Sequence, residues 1–102
     1  GCIASLLSFK PIMGSDGSGN VKLFDNVRGA KRAFNRLVEI IGENGYKFEN
    51  KILGIAHCDA LEKAEALKAM IEKKYNFKEI IILRTGGLSS AYADKGGIVL
   101  AF

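Results

Sequence analysis

Two spacings of apolar residues alternate along the chain. Short apolar runs at residues 6–13, 21–24, 51–57, 78–83 and 98–102 are rich in Ile, Leu and Val and bounded by Gly, Pro, Asn or Asp, which predicts strands. Between them, Ala30, Ala33, Phe34, Leu37, Val38 and Ile41 recur at intervals of three and four and predict a helix over residues 27–41. Ala60, Ala64, Leu67 and Ile71 repeat the helical interval and predict a second helix ending near Tyr75, with Glu62, Lys63, Glu65, Lys68, Glu72 and Lys73 on its wet side.

The order is then β-β-α-β-α-β-loop-β, an α/β (α+β) sandwich with one mixed sheet of about five strands and two main helices. Pro11 confines the first strand to an edge or an irregular position, because proline cannot donate to a ladder. Residues 14–20, GSDGSGN, read as a hairpin loop. Asp25 or Asn26 is a cap for the first helix and Gly42 and Gly45 stop it, which puts Arg28 in its first turn. An arginine there opposes the helix dipole and asks for a reason outside helix stability, such as an anion or a partner. Asp59, with Glu62 three residues on, predicts a capping box. The run Ile80, Ile81, Ile82, Leu83 predicts a strand covered on both faces or in a buried central position.

Composition narrows the class without naming a function. At 102 residues, 48% hydrophobic and 25% charged, the chain is one globular domain. It opens on an apolar stretch with no initiator Met or capping signal, so residues 1–102 are expected to be a fragment with an exposed apolar face, which invites a missing neighbour or self-association. A net charge of +4 is mild and calls for no nucleic acid, although Arg28, Lys31, Arg32 and Arg36 cluster on one helix. Cys2 and Cys58 are far apart and form no CxxC pattern, which favours a reducing compartment, the cytoplasm. No apolar run approaches the roughly 18 residues of a membrane span.

The chemistry concentrates in the last nineteen residues, RTGGLSSAYADKGGIVLAF. Gly86-Gly87 and Gly96-Gly97 bracket Ser89, Ser90 and Tyr92, a combination of approachable backbone N–H groups and hydroxyls suited to an oxyanion. The segment matches neither the phosphate-binding GxxxxGK[ST] pattern nor GxGxxG. His57, Cys58 and Asp59 end a strand, where α/β proteins place ligands, and suit either a site mouth or a structural, helix-capping role. One His and two Cys are too few for a metal centre, and adjacent strand residues point to opposite faces, which argues against a Cys–His catalytic pair. No cofactor is expected.

LLSFKPIM before a glycine-rich turn, the VR start of the first helix, the strand ending in His-Cys-Asp and the closing GxSSxYAxxGG together resemble the carboxy-terminal half of a DegV family protein. The resemblance implies a bacterial two-domain carrier, not an enzyme, that holds a long-chain fatty acid between its domains and presents the carboxylate to a fatty acid kinase. It further implies that Ser89, Ser90, Tyr92, Gly96 and Gly97 approach the head group, that Arg28 lies near the partner surface, and that an amino-terminal domain supplies the other half of the site. Many members carry a histidine in a THxGPG version of the loop; a gapless match puts Tyr92 there, with a hydroxyl of ordinary pKa near 10 in place of a group that titrates near neutrality. The residues leave two other readings open: an enzyme of acyl or phosphoryl transfer using the same loop with His57 or Cys58, and an interaction domain docking an acidic partner on its basic helix.

Overall fold

The computed structural model describes residues 3–6, 12–15, 21–25, 29–84 and 96–102. Strands β1 (Ile3–Leu6), β2 (Ile12–Ser15) and β3 (Val21–Asp25) form an antiparallel meander. Helix α1 (Ala30–Asn44) and a 3-10 turn (Phe48–Asn50) lead to β4 (Ile52–His57). Helix α2 (Leu61–Lys74) crosses over to β5 (Glu79–Arg84), parallel to β4, and β6 (Ile98–Ala101) closes the chain between β1 and β4, antiparallel to both. The sheet order is β3-β2-β1-β6-β4-β5.

The mixed sheet with two main helices is the expected architecture, with one more strand than the apolar runs suggested. The run at 6–13 is not one strand: Ile3 pairs with Ser15 and Ser5 with Met13, so the chain reverses between β1 and β2. A continuous apolar run records burial but not direction, and antiparallel pairing is decided by contacts with another strand. The expected hairpin joins β2 to β3, its tip at 16–20 lying outside the described residues.

Both helices pack on one face of the sheet. Leu37, Val38, Ile40 and Ile41 of α1 and Ala64, Leu67 and Ile71 of α2 meet Leu53, Ile55, Ile98 and Leu100 in a single core. Helix α1 starts three residues later than expected, with Gly29 at φ 90° as its N-cap and no side-chain cap, so Arg28 precedes the helix rather than sitting in its first turn, and itself lies outside the described residues. Within α1, the Arg36 guanidinium donates to both carboxylate oxygens of Glu43, at 2.6 and 3.2 Å, and to Glu39 at 3.3 Å. Its charge is therefore answered on the helix itself, while Lys31 and Arg32 stay exposed.

The helix layer is tied at the end of the sheet where β4 and β5 begin. Tyr75, just after α2, donates its hydroxyl to the Val38 carbonyl of α1 at 2.7 Å, and its ring joins Phe48 and Phe77 at centroid distances of 4.8 and 6.3 Å. Burial, reinforced by Glu39 and Glu43, raises the Tyr75 pKa above its ordinary value of 10.0, against the lowering effect of the nearby Gly42 backbone. Gly42 is glycine for want of room, since a Cβ there would collide with the Tyr75 hydroxyl.

Candidate ligand-binding site

At the opposite end of β4 the sequence His57-Cys58-Asp59-Ala60 divides its tasks by strand parity. His57 follows Leu53 and Ile55 toward the helices and is buried, and its Nδ1 accepts the Ala60 N–H at 3.1 Å. A neutral imidazole accepting at Nδ1 carries its proton on Nε2. The expected capping box does not form: Ala60 is the N-cap and no side chain caps α2. Asp59 instead takes a left-handed backbone, φ 50°, and its carboxylate accepts from Arg84 Nη2 at 3.3 Å, both side chains being well exposed. The structural, capping-like role foreseen for this trio falls to the histidine.

Cys58 is a half-buried free thiol in register with Gly54 and Ala56, on the face away from the helices. His57 and Cys58 therefore lie on opposite faces of β4, and only Cys58 borders the uncovered face. Two glycines oppose Cys58, the two-against-one pairing of a β-bulge: the Gly96 N–H donates to the Cys58 carbonyl at 2.7 Å, and the Cys58 N–H donates to the Gly97 carbonyl at 3.2 Å. Gly96 has φ 85°, a conformation that favours glycine. The Gly96 N–H, expected to face a ligand, is thus spent on fixing the end of the closing segment to β4. Ser89, Ser90 and Tyr92 lie outside the described residues.

The structure adds a feature that sequence reasoning missed. On the uncovered face, Gly54 of β4 stands between Ile81 of β5 and Ala101 of β6, and Ala56 stands between Leu83 and Val99. Ile3 of β1 is opposite Ala101. Gly54, Ala56, Val99 and Ala101 make a floor between Ile81 and Leu83 on one side and Ile3 on the other, these three rim residues being 37, 56 and 41% exposed, while Ser5, opposite Val99 on the Ile3 side, is buried and donates its hydroxyl to the Met13 carbonyl. Strand β5 is a sheet edge, so its isoleucine run is covered by α2 on one face only, not on both as its sequence suggested. The signal available was the alternation of large and small in KILGIAH. One further hollow, about 390 Å³ and lined by Lys68, Glu72, Tyr75 and Phe77 among others, lies at the start of β5, away from the glycine pair. Among the described residues no group of acidic, His or Cys side chains is arranged to hold a metal ion, and no helix is long and apolar enough to cross a membrane.

Residues 1–102 match, over their whole length, the family described as "Uncharacterised protein, DegV family". The chain belongs to the DegV family. It is 30% identical over 100 residues to a DegV domain-containing protein of Clostridium perfringens, covering 98% of this chain and 34% of that protein. The DegV family protein of Ruminococcus gnavus, whose crystal structure was refined with vaccenic acid, superposes with a TM-score of 0.87 at 26% identity, covering 97% of this chain and 43% of the other. A fatty acid binding DegV family protein of Streptococcus agalactiae gives a TM-score of 0.71 at 28% identity, covering 93% and 33%. The chain thus spans about a third of the length of the curated DegV relative it matches.

Proposed function

We propose that this chain is the carboxy-terminal half of a DegV carrier that holds one long-chain fatty acid, the acyl tail lying on the uncovered sheet face and the carboxylate near the closing segment. The observation that carries this reading is a small-floored trough with apolar margins, exposed at Ile3, Ile81 and Leu83 among the described residues, on a sheet whose other face carries the helix-packed core, with a glycine-anchored segment at its end. An exposed apolar face of this kind marks a binding surface. Ser89, Ser90, Tyr92 and Gly97 are the proposed carboxylate contacts. Arg28 is the proposed partner contact, and Cys58 borders the mouth of the site. A preceding DegV domain would cover the face, and a fatty acid kinase would take up the presented carboxylate; family membership supports both.

The protein is proposed to bind rather than catalyse. Burying a sixteen-carbon tail at ~0.8 kcal/mol per methylene gives a gross gain on the order of 10 kcal/mol before ordering costs, so the tail dominates affinity. Native mass spectrometry of the complete protein, purified from a heterologous host and then extracted under denaturing conditions, tests this. Close to one fatty acid per chain is the expected result. A protein that stays empty after incubation with palmitate and oleate would overturn the proposal.

A further inference from the structure

A glycine inside a strand loses backbone entropy and contributes no side chain to packing, so it usually answers a local need. Gly54 has none among the described residues. Its backbone is not among the left-handed positions, and a Cβ built on it would meet nothing within 4 Å. Gly42 and Gly45 behave oppositely, for a Cβ on either would run into Tyr75 or Phe48. The space above Gly54 is therefore kept clear for something that is not part of the described residues. Its surroundings specify an apolar occupant: Ile81 and Ala101 flank it in the sheet, Ala56 continues the floor toward Cys58, and the carriers of the rims, β5 and β1, are separated by β4 and β6, about 14 Å at strand spacing.

Resting on the fatty-acid reading above, we infer that Gly54 is a specificity-determining residue, the point where the distal acyl tail touches the sheet and which sets the longest chain the trough accepts. Gly54 lies four residues from Cys58, about 13 Å along the strand. An extended alkyl chain advances about 1.25 Å per carbon from bond lengths near 1.5 Å and near-tetrahedral angles, so a chain entering beside Cys58 passes Gly54 after about ten carbons. Side chains added there obstruct long acids and leave shorter ones little affected.

The test loads the complete protein, as wild type and as Gly54→Ala and Gly54→Val, from an equimolar mixture of decanoate, dodecanoate, tetradecanoate, hexadecanoate and octadecanoate, and reads the bound profile by mass spectrometry. Gly54→Val is expected to lower hexadecanoate and octadecanoate at least tenfold relative to decanoate, and Gly54→Ala to shift the profile the same way by a smaller factor. With the ligand stripped, Gly54→Ala is expected to melt at or above the wild type, because its Cβ meets nothing within 4 Å among the described residues. An unchanged profile, or a uniform loss across all lengths, overturns the role of Gly54, as does a melting temperature of stripped Gly54→Ala that falls by several degrees. A wild type that takes up none of the acids fails differently, sinking the fatty-acid reading itself.

Discussion

The two faces of the sheet are built from the same strands and solve different problems. Strand β4 sends Leu53, Ile55 and His57 toward the helices, where all three are buried, and β6 adds Ile98 and Leu100. The alternate positions, Gly54 and Ala56 on β4, Cys58 just past its end, and Val99 and Ala101 on β6, are small or only half covered, with Ile81 and Leu83 standing exposed beside them. Large side chains with few gaps complete the helix face, whereas small side chains with an apolar margin leave the other face incomplete. Among its described residues the chain thus separates the packed core from the proposed binding face by strand parity.

The sharpest way to break that comparison is to cut equal apolar bulk from each face. Leu67→Ala, in the helix layer and fully buried, is expected to cost about 3 kcal/mol in urea denaturation. Loss of the Tyr75 clamp between α2 and α1 comes next: Tyr75→Phe is expected to cost about 1 kcal/mol near neutral pH, the net worth of one hydrogen bond. Because the folded-state pKa of Tyr75 is raised, its contribution is present below the unfolded value near 10 and fades as pH rises through the folded value. The stability gap between wild type and Tyr75→Phe should accordingly narrow in alkaline titrations above about pH 10; a gap that widened would contradict the assigned burial. Smallest of all, Leu83→Ser on the open face should change stability of this chain by less than about 0.5 kcal/mol. A loss like that of Leu67→Ala would mean that the open face belongs to the core.

Much of the covered face was legible in the sequence, because helical spacing reports directly on burial. All four residues of the expected stripe Ala60, Ala64, Leu67 and Ile71 are buried, and α1 buries Ala33, Leu37, Val38 and Ile41 of its expected stripe, half-buries Phe34 and adds Ile40. What escaped was decided by residues distant in sequence. Asp59 and Glu62 have capping-box spacing, yet Asp59 pairs with Arg84, twenty-five positions on, and His57 supplies the acceptor for Ala60. Strand β1, the first half of the reversal inside residues 3–15, pairs on its other side with β6, which comes last in the chain. The trough was hidden for a related reason: Gly54 and Ala56 look unremarkable along β4, and their meaning appears only when Ala101, Ile81 and Leu83 are brought alongside.

The anchoring of the closing segment bears on how DegV proteins can diversify. Arg84 and Gly96 end and begin stretches on either side of β4, about 10 Å apart at two strand spacings. The eleven residues 85–95 have a covalent reach of roughly 36 Å, several times that gap. Doubling such a connection costs only about 0.6 kcal/mol of closure entropy. Insertions, deletions and exchanges between these two posts are therefore cheap for the sheet, and natural variation can rewrite the proposed head-group contacts there without renegotiating the fold.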